Sequence, residues 1–208
     1  MSTNTIITIG RQYGSGGHEI GQKLSQRLSL DFYDREILKI AAKESGMNEA
    51  LIESFDEKPT TSFLYSLVMD PYSLGYNSSA FDMPLNHKVF LAAFDAIKKI
   101  ADKGPCIIVG RCADYALADY DNCINLFIYA PIEDRAKRIA ELKNISVDKA
   151  KDLINKEDKQ RASYYNYYTT KKWGHIKSFD VCLNSSLMGI DRTVDVICDI
   201  VDRYEGKI

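Results

Sequence analysis

Residues 5–21 predict a strand, a glycine-rich turn and a helix, in that order. Residues 6–9 form a short apolar, β-branched run of the kind found in buried strands. Residues 14–17 contain three glycines, and apolar residues then recur at helical spacing from Ile20. In such a turn backbone N–H groups converge on an anion, and the helix N-terminus adds partial positive charge. The segment therefore predicts a phosphate-binding loop.

The loop departs from the Walker A pattern, G-x-x-x-x-G-K-[ST]. Gly17 stands where the lysine is expected, and His18 and Glu19 follow where small or hydroxyl residues are usual. Gly10 precedes Gly16 by six residues instead of five. A glycine-rich turn without a ligand therefore stays open as an alternative, and His18 either contacts phosphate or faces solvent.

Apolar runs alternate with amphipathic helical segments along the rest of the chain. Strands are expected at residues 30–33, 106–109, 123–130 and 179–183, and helices at 35–45, 48–55, 85–103, from 132, at 146–161 and at 191–204. This alternation predicts an α/β fold with a parallel sheet covered on both faces. Ligands of such sheets bind beyond the carboxyl ends of the strands, where the glycine turn and Arg111 both fall.

The segment after the second strand gives three local predictions. Asp34 has the character of an N-cap for the helix at 35–45. A further helix is expected to begin at Pro59. Residues 71–84 have no clear period, and they are interpreted either as a mobile loop near the substrate entrance or as a plain surface loop.

Composition narrows the functional classes. The 208 residues, 45% of them apolar, suit one domain or one domain with an inserted lid. A net charge of -2 gives no broad basic surface for a nucleic-acid polymer. Because the start lacks a signal-like segment and no apolar run approaches membrane-spanning length, we expect a cytoplasmic protein that does not bind membranes. The five cysteines form no C-x-x-C pair and are expected to be buried free thiols, without a metal site.

Several arginines lie where a phosphoryl group would be bound. Arg111 directly follows a buried strand and a glycine, and a guanidinium binds phosphate bidentately and stays charged. Such cations stabilise the transition state of phosphoryl transfer. Arg135 and Arg138 share one helical face and are either functional or ordinary solvated residues. Arg161 is either functional or a surface ion pair with Asp158.

Aromatic residues are concentrated at 164–168, which contain four tyrosines, and Trp173 follows. We interpret these tyrosines as core or interface anchors, with a platform for stacking a nucleobase as the alternative. His87 and His175 have no acidic or histidine partner at ligand spacing, and no role is assigned to them.

Five segments together resemble the cytidylate kinase-like branch of the P-loop nucleoside monophosphate kinases. They span nearly the whole chain and read ITIGRQYGSGGHEIG, FYDREIL, IIVGRCADYAL, APIEDRAKRI and DKQRASYYNYYTTKKWG. The resemblance implies a three-layer P-loop kinase fold with a five-stranded parallel sheet flanked by helices. It further implies one domain over residues 1–208, with an acceptor-binding insertion near 34–86 and a lid near 132–175.

The resemblance also implies transfer of the γ-phosphoryl group of ATP to CMP or dCMP, with Mg²⁺. Nucleotides are then the small-molecule partners, and whether the chain forms a homodimer stays open. The residues expected to bind ATP are Gly14, Ser15, Gly16, Gly17, His18 and Arg135. Arg111 matches the arginine that holds the acceptor phosphate, and Asp34 and Arg35 fall near the acceptor site.

Four residues are expected to act in catalysis. Arg138 matches an arginine at the start of the family's lid, and Asp158 and Arg161 match residues at its far side. Arg11 is the candidate cation in place of the absent lysine, because it precedes Gly14 by three residues at the mouth of the loop. In the alternative interpretation Arg11 pairs with an acid such as Glu19.

Two departures from the family pattern keep three functions open. The loop lysine is missing, and Val109 and Cys112 replace the aspartates of the family's D-G-R-D segment. The first function is a nucleoside monophosphate kinase, and the second is a kinase of the same fold that acts on another small molecule. The third is a catalytically weak nucleotide-binding regulatory protein, which the missing lysine favours.

Overall fold

Five parallel strands form one sheet in the order β2-β3-β1-β4-β5 in the computed structural model, which describes residues 3–57 and 84–207. The strands are β1 (Ile6–Arg11), β2 (Asp31–Tyr33), β3 (Cys106–Val109), β4 (Cys123–Tyr129) and β5 (Val181–Asn184). The register pairs Ile7 of the central strand with Ile107 on one side and Ile124 on the other. β1 is buried and its first four residues are β-branched, as expected for such a strand; the one polar residue among them, Thr8, donates its hydroxyl to Asn125 Oδ1 at 2.7 Å.

Helices cover both faces of this sheet in the described part of the chain. In chain order they are α1 (Gly17–Leu28), α2 (Glu36–Ser45), α3 (Glu49–Ser54), α4 (Leu85–Ala101), α5 (Ala113–Ala116), α6 (Ile132–Lys143), α7 (Val147–Tyr168) and α8 (Gly189–Tyr204), with a short 3-10 helix at Ile176–Ser178. One apolar cluster joins Ile7 and Ile9 to α1 and α8. A second joins Ile6 and Ile108 to α2, α3, α4 and α5. The predicted three-layer P-loop kinase fold is therefore confirmed.

The tyrosine segment lies in α7, which continues to Tyr168 instead of ending near residue 161. Tyr164 and Tyr168 are four residues apart, so they share one helical face. Both are buried with Tyr165, and the ring of Tyr168 stacks on that of Phe90 at 4.1 Å between centroids. The core interpretation is confirmed for Tyr164, Tyr165 and Tyr168, whereas Tyr167 is exposed. Packing of the buried rings explains the longer helix.

Other expectations of the sequence need small corrections. Asp34 is not the N-cap of α2, because Arg35 occupies that position and the Asp34 carboxylate binds other side chains. β5 begins at Val181, two residues late, since Phe179 packs in the aromatic cluster. The five cysteines are free, but only Cys106 and Cys112 are buried. The helix expected from Pro59 and all but the last residue of the expected 71–84 loop lie outside the described residues.

No helix in the described ranges is long and apolar enough to cross a bilayer.

Helix α1 is held close to the sheet at Gly21, which faces three core side chains. A Cβ atom at this position would lie 2.8 Å from Phe32 Cε2 and 3.3 Å from both Ile9 and Val109. We expect Gly21→Val to lower the free energy of unfolding by about 1–3 kcal/mol, because the added methyls overpack this contact. Chemical denaturation measures this change.

The matched control is Gln26→Val on the exposed face of the same helix. It should change the free energy of unfolding by no more than about 0.5 kcal/mol. Equal effects of the two substitutions would show that the close approach at Gly21 does not limit the packing of α1.

Candidate active site

The glycine turn between β1 and α1 forms an open loop at the carboxyl edge of the sheet. Gly14 and Gly16 have φ angles of 79° and 82°, a left-handed conformation that favours glycine. The Ser15 N–H and hydroxyl both donate to the Gln12 carbonyl, at 3.2 and 2.8 Å. The first N–H groups of α1 have no partner within the helix. The loop therefore presents N–H donors and a helix N-terminus, as an anion site requires.

Side chains from distant parts of the chain support this loop. The Ser185 hydroxyl donates to the Ser15 carbonyl at 2.6 Å. Asp158 accepts a hydrogen bond from the Tyr13 N–H at 2.7 Å and pairs with Arg135 at 2.6 Å. Arg135 also donates to the Tyr13 carbonyl, and its side chain is 8% exposed. Arg135 and Asp158 thus contact each other and the loop backbone, which gives them a role in shaping the loop.

Arg138 lies directly over the loop. A Cβ atom on Gly16 would be 3.5 Å from the central guanidinium carbon of Arg138. The side chain pairs with Glu19 in the first turn of α1 and is about one third exposed. Among the arginines assigned to the lid, Arg138 is therefore placed to reach an anion bound at the helix N-terminus.

Arg11 and Gly17 are sterically coupled. A Cβ atom on Gly17 would lie 2.6 Å from Arg11 Cβ, a separation that real side chains do not reach. Arg11 stands five residues before Gly16, at the position of the first glycine of the Walker A pattern. The side chain of Arg11, which stands in place of this glycine, therefore occupies the space that the side chain of a lysine at position 17 would need.

Arg11 does not pair with Glu19. Its guanidinium instead points toward the end of β3, where Nη1 donates to Glu57 Oε1 at 3.0 Å and Nη2 lies 3.8 Å from Asp34 Oδ1. We call the group around it the arginine–carboxylate cluster. Its members are Arg11, Arg111, Arg161, Asp34, Asp56 and Glu57.

Arg111 is the most buried member of the cluster, with a side chain that is 2% exposed. Its Nη1 donates to the Asp34 carboxylate at 2.8 Å and to the Asp34 carbonyl at 2.9 Å. Its Nη2 donates to Asp56 at 2.8 Å. The guanidinium that was expected to hold an acceptor phosphate is therefore bound to two carboxylates of the chain itself.

Glu57 connects the remaining parts of the cluster. Besides the contact with Arg11, Oε1 accepts the backbone N–H of Arg111 at 3.1 Å, and Oε2 accepts Arg161 Nε at 3.2 Å. Arg161 also donates to the Arg11 carbonyl at 3.3 Å. Arg161 is therefore not a surface partner of Asp158, which pairs with Arg135 instead.

The carboxylates of the cluster differ in acidity. Burial alone would raise the pKa of Glu57, but the charges of Arg11, Arg161 and Arg111 lower this pKa to about 2. Burial likewise acts to raise the pKa of Asp34, yet the hydrogen bond with His18 and the nearby arginines hold it well below its ordinary value. For Asp56 burial dominates, and its pKa is raised. Glu57 and Asp34 are thus anions at neutral pH.

His18 and Arg35 lie on the acceptor side of the loop. The His18 ring nitrogen Nδ1 is 2.8 Å from Asp34 Oδ2, and half of the His18 side chain is exposed. Arg35 is exposed at the start of α2. Both residues, with Asp34, line a groove that runs from the phosphate loop to the arginine–carboxylate cluster.

This groove has a volume of about 1180 Å³. Pockets for one small ligand commonly measure about 300–1,000 Å³, so the groove has room for two. Gly14, Gly16 and Gly17 line one part of it, and Asp56 and Arg111 line another. The groove therefore offers the backbone N–H donors of the loop at one part and guanidinium groups at another, and both kinds of donor can bind anions.

Sequence reasoning missed three residues of this site. Asp56 and Glu57 follow a short helix and resemble ordinary surface charges, and Ser185 follows a strand without any motif. Their roles depend on contacts across 46 to 170 positions of the chain, which no local pattern reveals.

A family model described as the cytidylate kinase-like family matches residues 6–187. A protein named cytidylate kinase from Ignicoccus hospitalis is 23% identical over 195 residues, which cover 93% of this chain and 96% of that one. Two solved structures are also similar. An uncharacterized protein from Eubacterium ventriosum has a TM-score of 0.70 at 26% identity, with 95% of this chain and 98% of that chain covered.

The second, a shikimate kinase from Bacteroides thetaiotaomicron, has a TM-score of 0.55 at 12% identity, with 95% of this chain and 98% of that chain covered. At this identity the likeness concerns the fold alone. The family match extends over most of the chain and includes the phosphate loop, Arg111 and the arginines of α6 and α7. The chain therefore belongs to the cytidylate kinase-like family.

Proposed function

We propose that the chain transfers the γ-phosphoryl group of ATP to a nucleoside monophosphate, with CMP or dCMP as the expected acceptor. The observation that carries this proposal is the continuous groove between the phosphate loop and the arginine–carboxylate cluster. Phosphoryl transfer consists mainly of aligning two ligands and offsetting charge, and both tasks suit this groove. Membership of the cytidylate kinase-like family and the relative named cytidylate kinase support the choice of acceptor.

Within this proposal the loop residues bind the phosphates of ATP, and Arg138 contacts them from above. Arg11 and Arg161 lie between the donor and acceptor ends and offset charge in the transition state. Arg135 and Asp158 act indirectly, since they hold the loop backbone. Helices α6 and α7, which supply Arg135, Arg138 and Arg161, form the proposed lid near residues 132–175.

Mg²⁺ is proposed to arrive with the nucleotide. Across the described residues, no group of three or more His, Cys, Asp or Glu side chains is arranged to hold a metal. The Walker A position for a metal-binding hydroxyl is His18, whose ring contacts Asp34. Kinase Mg²⁺ commonly keeps several waters and binds substrate phosphates, and it would neutralise developing charge there.

A second candidate is a kinase that phosphorylates a small molecule without a phosphate group. The specific observation in its favour is the pairing of Arg111 with Asp34 and Asp56. An acceptor phosphate would have to displace one of these carboxylates, whereas a neutral hydroxylated acceptor would not.

The first prediction from this proposal concerns substrate choice. ADP release, measured in a coupled assay over a panel of nucleoside monophosphates, should show the largest kcat/KM with CMP or dCMP. Turnover restricted to unphosphorylated small molecules would favour the second candidate. ATP binding without turnover on any acceptor would favour the regulatory protein.

The second prediction concerns the role of Arg11 as the cation that takes the place of a lysine at position 17. Arg11→Lys should lower kcat strongly and Arg11→Ala should lower it more, by roughly 10²- to 10³-fold, because a positioned donor is lost. Gly17→Lys alone should also be inactive, since the new side chain meets Arg11. The double variant Arg11→Gly, Gly17→Lys restores a Walker A glycine and lysine, and it should recover part of the rate.

Equal activity of the double variant and Gly17→Lys would contradict the hypothesis that Arg11 takes the place of the Walker A lysine. Thermal unfolding of all four variants separates loss of catalysis from loss of folding. A large melting shift with normal ATP affinity would mark Arg11 as a structural residue.

The third prediction concerns Arg111. Arg111→Lys keeps the charge near Asp34 and Asp56 but removes the planar fork, and it should weaken binding of the monophosphate by about 1.5–3 kcal/mol. ATP affinity should change little. Titration calorimetry with each nucleotide measures both, and equal losses for the two ligands would exclude a role specific to the acceptor.

A further inference from the structure

We propose that Glu57 fills an anion site built for a phosphoryl group, and that substrate phosphate competes with this carboxylate. The inference rests on the proposed phosphoryl transfer and adds to it the place where the transferred group or the acceptor phosphate is held. The ligand class is a tetrahedral oxyanion. Glu57 is the occupant of this site in the structure.

The site is made by three donors from three different elements. Arg11 ends β1, the Arg111 N–H lies in the turn after β3, and Arg161 comes from α7. Their distances to the Glu57 carboxylate are 3.0, 3.1 and 3.2 Å. Guanidinium and backbone N–H donors converging on one oxyanion are the usual means of binding phosphate. All three lie at the carboxyl edge of the sheet, where this fold class binds ligands.

The site always requires an anion. Arg11 and Arg161 both donate to the Glu57 carboxylate, at 3.0 and 3.2 Å, so two positive side chains are held close together. Without a negative charge between them they would repel each other in a largely buried environment. Glu57 supplies that charge when no substrate is bound, and its pKa of about 2 keeps it ionised at neutral pH.

The backbone of Glu57 is held in an unfavourable conformation. Its φ angle is 47°, in the left-handed region, which is unfavourable for a residue with a Cβ atom. The fold bears this cost while the Glu57 carboxylate contacts the arginines, so these contacts must offset it.

The neighbouring groups are incompletely paired. Within the described residues Arg111 Nε and Asp56 Oδ1 are buried without a hydrogen-bond partner. An unpaired buried polar atom is unfavourable, so native sites seldom keep two of them side by side. A phosphoryl group carries more charge and more acceptor oxygens than a carboxylate, and can engage these arginines more fully.

The test uses Glu57→Gln and inorganic phosphate as the probe. The variant has the same shape but no charge, so phosphate should bind roughly 10- to 100-fold more tightly than to the wild type, as expected when a charged competitor is removed. Titration calorimetry at constant ionic strength measures the affinity. The variant should also melt at a lower temperature without phosphate and regain the difference with it.

Two controls locate the effect. Glu49→Gln removes a charge from the exposed face of α3, the helix that precedes Glu57, and should leave phosphate affinity unchanged. Arg161→Gln added to Glu57→Gln should abolish the gain, because it removes one donor of the site but not the phosphate loop. Glu57→Asp, which keeps the charge on a shorter side chain, replaces Glu57→Gln if that variant fails to fold, and should give a smaller gain.

Destabilisation of the Glu57 variants without any gain in phosphate affinity would overturn the proposal, since Glu57 would then be a structural ion pair. A gain that survives Arg161→Gln would also overturn it, because phosphate would be bound elsewhere. These readouts do not depend on turnover. Tighter phosphate binding in a chain that phosphorylates no acceptor would keep the anion site and reject the proposed function.

Discussion

The site depends on carboxylates that neutralise the charges of three arginines at one edge of a parallel sheet. Arg11, Arg111 and Arg161 reach this edge from β1, the turn after β3, and α7, and each contacts a carboxylate there. A buried ion pair gains little net stability, but removing one partner leaves an uncompensated charge and is costly. The carboxylates Asp34, Asp56 and Glu57 are therefore as necessary to the ligand-free fold as the arginines are to any phosphate chemistry.

The absence of a Walker lysine at position 17 has a steric explanation. A side chain at position 17 and the side chain of Arg11 would occupy the same space, so the loop accommodates one or the other. Placing the cation on β1 moves it from above the helix N-terminus toward the end of β3, where Glu57 and Asp34 lie. The change brings the cation nearer to the acceptor end of the groove, and Arg138 is the arginine left over the loop.

Local patterns in the sequence were sufficient for the fold. The apolar runs and helical spacings place all five strands, and the main helices apart from the end of α7, within a few residues, because burial in a parallel sheet leaves a strong signal. Local patterns failed where a side chain contacts residues that are far away in the sequence. Asp34 has the residue type of a helix cap but binds Arg111, and Asp158 and Arg161 are three residues apart but pair with different partners.

Within the proposed phosphoryl transfer, the arginine–carboxylate cluster would select the acceptor, since the fold alone does not determine it. A shikimate kinase has this fold at 12% identity, and function is carried by sites that a fold can exchange. Arg111 is retained here, but its neighbours Val109 and Cys112 are apolar or neutral, and Asp34 and Asp56 balance its charge instead. A monophosphate acceptor would have to replace one of those carboxylates on Arg111, which is feasible because a guanidinium binds carboxylate and phosphate bidentately. A neutral acceptor would leave both ion pairs in place, so the two proposed acceptor classes differ in whether these pairs are broken.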